Sequence, residues 1–425
     1  MDIRNFAQLG GTKALSVQVV PSAEDGGASI ESLMNAGPRI LKDSIVTSGF
    51  QEGQIMPRAS DSGELLMLPR GFTMPGLEVL AAADTGEAGV VRMPAGRGFI
   101  VAADVLSLDE PHCRKVNSYY KYTLIANAIT NPVRFGEYYD RRFKYAELVE
   151  YMKEIADSHP DIAFKEEGPA SEDYRLYSLN IGRPGAPLYF LYAAAHGSEW
   201  EPGYGLMTFA KHVAEGRMSD VIDITKVSIK LIPILNPWGY DHMRRQNAQG
   251  VDLNRQGDDG WAKFHGRDSD KDGVWGPWDY DWKGDAPFSE PEAAIYKSII
   301  DSVPNLHCVL DFHGNSSSRS NKLFSLPATA HSDNERLARE MQRIANTRLQ
   351  GRHILQQNDE DACSQYIITR ANMTGTMPFL KNTSARGRFG MLIELTAGYP
   401  STYGTVLQTD VTCELCRTLF IVYDK

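Results

Sequence analysis

Residues 188–204 read LYFLYAAAHGSEWEPGY. The eight residues Leu188 to Ala195 are all apolar, run without alternation into His196, and are followed by a carboxylate at Glu199. A short run that is apolar on both faces predicts a strand buried on both faces, as in a mostly parallel sheet covered by helices. The texture recurs in VSIKLIPIL (227–235), LHCVLDF (306–312) and FGMLI (389–393). Helical spacing lies between these runs, at Gly205 to Val213, Pro291 to Ile300 and Asn334 to Leu349. An earlier helix, carrying Leu148, Tyr151, Met152 and Ile155, is expected from Lys144 to the stop at Ser158-His159-Pro160. The expected fold class is therefore α/β, with a mixed, mostly parallel sheet and helices on both faces. Each apolar run ends on a polar residue: His196, Asn236, His313 and Glu394. Ligands bind at the carboxyl ends of strands in such sheets, so these four mark one rim.

The chain outside this core is different. Residues 1–138 are rich in Gly and Pro, with short apolar stretches such as GLEVLAA (76–82) and GVVRMP (89–94), and they read as a smaller β-rich accessory domain. YYKYTLIANAI (119–129) has the spacing of a helix. No set of catalytic residues stands out there, so chemistry is assigned to 139–425.

Composition narrows the function. Of 425 residues, 42% are hydrophobic and 23% charged, as in ordinary globular proteins. The net charge of −10 argues against general binding to nucleic acid or anionic membranes. The run 188–195 is too short to span a bilayer. Five cysteines make no disulfide framework, and no signal-like apolar segment opens the chain, so a reduced, cytoplasmic protein is the default. Cys413 and Cys416 form a CxxC without a second pair and are expected to pack.

His196 and Glu199, with the strand-terminal His313 of DFHG, provide two imidazoles and one carboxylate. Three protein ligands with an open fourth position make a catalytic zinc site, with Glu199 expected to open a helix. The surrounding motifs are NPWGYDHMRRQNAQGVDLNR (236–255), HGSEW, SEPE (289–292), DFH and IELTAG (393–398). In order and spacing they resemble those of the carboxypeptidase A-like zinc metallocarboxypeptidases, over about residues 144–425. The resemblance implies that His196, Glu199 and His313 hold zinc and that Glu394 is the general base and proton shuttle. It gives Arg245 to the scissile carbonyl and oxyanion, Asn254 and Arg255 to a substrate carboxylate, and Asp252 to a zinc histidine as acceptor.

Amide hydrolysis needs these residue types. Zinc lowers the pKa of bound water to about 7. A nearby carboxylate must take that proton and deliver it to the leaving amine. A fixed cation beside the metal stabilises the oxyanion. A guanidinium meets a terminal carboxylate bidentately.

Two positions depart from the family pattern. Ser198 replaces a frequently basic residue, and no tyrosine occurs between Ile367 and Ile393, Tyr366 being the nearest upstream. The side-chain specificity pocket is expected from about residues 369–389.

A second metal pattern lies in GRDSDKDGVWGPWDYDWKGD (266–285), where Asp268, Asp270, Asp272 and Gly273 fit a calcium loop with Asp279 at its twelfth position. The expected function is a zinc peptidase cutting next to a free C-terminal carboxylate of a peptide. The alternative is a zinc amidase or endopeptidase acting on cell-wall peptides or N-acyl amino acids. A binding module that had lost the chemistry would be expected to lack a ligand or the base, yet all are present.

Overall fold

The structure is a computed structural model, and it describes residues 12–15, 39–40, 75–82, 88–95, 98–103, 137–139, 142–258, 260–269, 272–314, 323–327, 332–349, 389–395 and 402–422. The N-terminal strands are β1 (Thr12–Leu15), β2 (Arg39–Ile40), β3 (Glu78–Ala82), β4 (Ala88–Ala95) and β5 (Gly98–Ala103), in a sheet of order β1-β5-β4-β3-β2. It is antiparallel except for the parallel pair β1–β5. Glu78 and Arg92 face each other across β3 and β4 and join through Arg92 Nε at 2.8 Å. The stretch 119–129 lies outside the described residues.

The second sheet carries the rim. Its strands are β6 (Ile162–Pro169), β7 (Arg175–Gly182), β8 (Leu188–Ala193), β9 (Ser228–Ile232), β10 (Leu306–Gly314), β11 (Leu323–Pro327) and β12 (Phe389–Leu395), in the order β11-β12-β10-β8-β9-β7-β6. The four apolar runs are its central strands, β12, β10, β8 and β9, all parallel. The three strands not anticipated, β6, β7 and β11, pair antiparallel at the two edges. Edge strands have less to bury, and β6 (IAFKEEGP) accordingly lacks a continuous apolar run.

Burial explains the unbroken texture of β8. Tyr189, Leu191 and Ala193 pack into one core, with Met207 and Phe209 of α2 (Glu201–Ala214) and Leu419 of α6 (Thr402–Val422). Leu188, Phe190 and Tyr192 point to a second core with Tyr296, Ile299 and Ile300 of α4 (Pro291–Ser302). Helices α1 (Tyr145–Asp157) and α5 (Ser332–Leu349) contribute Leu148, Met152, Leu337 and Met341 to the first core. The sheet is thus apolar on both sides because helices cover both. Gly205 lets α2 and α6 meet closely, since a Cβ there would lie 2.4 Å from Cβ of Thr412. Cys413 and Cys416 are buried in α6, in keeping with packing. No helix among the described residues is long and apolar enough to cross a membrane.

Strand order fixes where a ligand fits. The chain leaves β8 towards β9 on one side, while β10 lies on the other. This reversal opens a crevice at the carboxyl ends of β8 and β10. His196 follows β8, His313 lies near the end of β10, and Glu394 of β12 is the register neighbour of His313.

Candidate metal centre and active site

The turn after β8 places the first two candidate ligands. Ala194 takes a left-handed backbone (φ 54°), uncommon outside glycine, at the point where the chain leaves the sheet. The turn closes with Glu199 N–H donating to His196 O at 2.9 Å. Glu199 therefore sits in the turn, two residues before α2, and does not open the helix. Gly197 is required by close approach, because a Cβ there would lie 2.0 Å from the carbonyl carbon of Gly239.

Gly239 belongs to the short helix α3 (Pro237–Asp241), whose N-cap Asn236 accepts from Gly239 N–H at 2.9 Å. Asn236 Nδ2 also donates to the carbonyls of Ala195, at 3.4 Å, and Arg245, at 3.3 Å. One buried amide therefore ties the end of β8 to the loop carrying Arg245. The sequence reading missed this role, although Asn followed by Pro is a helix-start signal that marks the cap.

Three residues from two strand ends converge. Glu199 Oε1 lies 3.0 Å from His196 Nδ1, Glu199 Oε2 2.9 Å from His313 Nδ1, and the two Nδ1 atoms are 3.1 Å apart. Donors about 2.0–2.1 Å from a tetrahedral zinc lie about 3.3 Å from one another, so the spacing of the two Nδ1 atoms, each with a Glu199 oxygen about as close, is near the zinc-bound size. All three side chains are buried, and they form the one His/Cys/Asp/Glu group among the described residues able to hold a metal ion. Burial, and then the charge of Arg245, push the pKa of His196 well below the usual histidine range. The imidazole is thereby kept in the neutral, ligating form.

The surrounding residues orient these donors. His196 Nε2 stands 3.1 Å from Asp252 Oδ1. Asp252 Oδ2 accepts from Arg245 Nε at 2.9 Å and Nη2 at 2.7 Å. Burial opposes charge on Asp252, but Arg245, Arg255 and His196 outweigh it and hold the carboxyl well below its usual pKa. With one edge engaged by Asp252, the Arg245 guanidinium extends Nη1 to 3.1 Å from His196 Nδ1 and 3.7 Å from Glu199 Oε1. Asn254 Nδ2 lies 3.5 Å from His313 Nε2, and Arg255 Nη1 donates to Asn254 O at 3.0 Å. Asn254 Oδ1 and Arg255 Nε are buried and have no partner. Backbone register puts Glu394 beside His313.

Two further features escaped the sequence reading. Asp311 Oδ1 lies 3.1 Å from His313 Nε2, and the alternation of DFH on a strand, which puts first and third residues on one face, was the available signal. The second is the wall from residues 258–288. Tyr280 stacks on Arg245 (4.3 Å from guanidinium carbon to ring centroid) and accepts from its Nε through the backbone carbonyl at 3.0 Å, while Phe264 faces Arg255 at 5.7 Å.

The expected calcium ligands are not brought together among the described residues. Asp268, Asp272 and Asp279 form no metal-binding group, and Asp270 lies outside the described residues. Asp268 accepts from Gly273 N–H at 2.9 Å and Asp272 from Val274 N–H at 2.8 Å. Asp279, 1% exposed, accepts from the backbone and hydroxyl of Ser269 and from Gly276 N–H. These carboxylates fold the loop through its amides, the alternative role of Asp in turns. Tyr366 and residues 369–388 also lie outside the described residues.

The family described as zinc carboxypeptidase matches residues 148–400. Mouse carboxypeptidase A4 is 27% identical over 201 residues, which are 42% of this chain and 45% of that protein, so the chain spans under half of that relative's length. Among solved structures, the carboxypeptidase A from Helicoverpa armigera gives a TM-score of 0.49 at 18% identity, covering 67% of this chain and 75% of that one. Bovine thrombin-activatable fibrinolysis inhibitor, solved with tick carboxypeptidase inhibitor, gives 0.48 at 18% identity, covering 66% and 97%.

Proposed function

This chain belongs to the zinc carboxypeptidase family, and on that premise we propose that it hydrolyses the peptide bond next to a free C-terminal carboxylate. The observation that carries the reading is the convergence of His196, Glu199 and His313 within reach of Arg245. Bound zinc supplies a Lewis acid that polarises the scissile carbonyl and acidifies water.

The remaining work falls to the chain. Asp252 accepts the Nε2 proton of His196 and so keeps Nδ1 available as donor atom. Arg245, clamped by Asp252, directs Nη1 towards the position where an oxyanion develops, and its preorganisation avoids reorientation during the reaction. Asn254 and Arg255 retain unpartnered polar atoms, Oδ1 and Nε, in a buried setting, as suits a site completed by a substrate's carboxylate. In this reading Glu394 takes a proton from the attacking water and returns it to the leaving amine. Residues 1–138 are assigned an accessory role.

Two measurements test the proposal. The zinc-loaded protein is expected to cleave blocked dipeptides with a free C-terminus and to spare their C-terminal amides; equal cleavage of both would instead support the amidase or endopeptidase reading. Glu394→Gln is expected to bind zinc normally and lose about 10²–10⁴-fold in kcat, the usual worth of a general base. Near-normal turnover in that variant would remove Glu394 from the mechanism.

A further inference from the structure

We propose that Asp311 is a positioning residue, holding His313 by Nε2 so that its Nδ1 faces the metal; the proposal rests on the zinc reading above. The strand β10 puts Asp311 and His313 on one face, and Asp311 Oδ1 lies 3.1 Å from His313 Nε2. The arrangement repeats, on the second histidine, the 3.1 Å contact of His196 with Asp252. The two ligand imidazoles are therefore each backed by a carboxylate at the nitrogen that faces away from the other ligands.

The two carboxylates differ in how their charge is answered. Asp252 is held by two hydrogen bonds from Arg245, whose guanidinium answers its charge. Asp311 is fully buried, and its register neighbour on β8 is Tyr192, also fully buried. It forms no ion pair with Lys or Arg among the described residues; its polar neighbours are His313 Nε2, at 3.1 Å, and the hydroxyl of Tyr192. A buried carboxylate in that position is costly unless a positive charge answers it. Through His313, the answering charge is the dication. Asp311 thus trades stability of the metal-free fold for affinity and fixed orientation at the loaded centre.

This assigns opposite signs to two observables. Asp311→Asn and Asp311→Leu, made in the full chain, should weaken zinc binding about 10–100-fold in competition with a chromophoric chelator, the usual effect of losing an outer partner. The metal-stripped variants should melt at the same temperature as wild type or higher. In cobalt-loaded protein, Asp311→Asn should displace the visible absorption bands. Unchanged zinc affinity, or a fall in metal-free melting temperature in both variants as for an ordinary packing residue, overturns the proposal. Zinc binding is read before any peptide is added. A wild type that binds zinc but cleaves no peptide therefore overturns the substrate reading alone, and one that binds no zinc overturns both.

Discussion

The metal centre and the Asp-rich loop at 266–285 are both dense in potential ligands, yet they use carboxylates in opposite ways. At the centre, Glu199 comes from one strand end and His313 from another, and their donor atoms face one point. Backbone amides are satisfied by the sheet, which leaves the side chains for a cation. In the loop, no sheet satisfies the backbone, so Asp268, Asp272 and Asp279 accept from Gly273, Val274 and Gly276. What distinguishes a site from a cluster is therefore whether the scaffold has already met its own hydrogen-bonding needs. The loop still serves the centre, because Asp279 holds the turn whose next residue, Tyr280, stacks on Arg245.

The contrast can be broken in four ways. The largest effect belongs to Arg245→Ala, expected to lower kcat/KM about 10²–10³-fold by removing an oxyanion donor; steady-state kinetics on a blocked dipeptide would check it. Chelation comes next. Stripping zinc should remove the binding stabilisation, about 4 kcal/mol at a thousandfold excess over Kd, whereas adding calcium should leave the melting temperature unchanged. A calcium-dependent rise in melting temperature would restore the loop as a metal site.

Third, Asp279→Ala should cost about 1–2 kcal/mol of stability, since it strands the part-buried donors of Ser269 and Gly276, with zinc affinity unaltered in chelator competition. The smallest effect is on pH dependence. His196 resists a proton that the unfolded chain accepts, so the metal-free protein should lose stability as pH falls below about 6.5, the ordinary histidine value. The lowered Asp252 carboxyl has the same sign, with its contribution present above about pH 4 and lost as pH falls through the folded value. His196→Gln should flatten the limb between these two pH values in melting curves.

Legibility followed burial. The central strands could be read because Leu188–Ala193 and Leu306–Phe312 must be apolar on both faces, and such short runs suit little besides a strand covered on both sides. The edge strand β6 was not legible, since Lys165, Glu166 and Glu167 look like surface residues in any conformation. The candidate zinc ligands were legible because each follows or ends a buried strand. Asn236 and Asp311 were missed for a different reason: their roles depend on what lies opposite in space, Arg245 in one case and His313 in the other. The calcium pattern was ambiguous in the sequence because DxDxDG spacing serves amide-capping turns as well as ion cages, and placement distinguishes them.

The contact between Gly197 and Gly239 couples two functions mechanically. With backbone resting on backbone and Asn236 bonded to both Ala195 and Arg245, the turn bearing His196 and Glu199 and the loop bearing Arg245 are locked together. A bulkier residue at either glycine would disturb the cation and the anion-stabilising arm together.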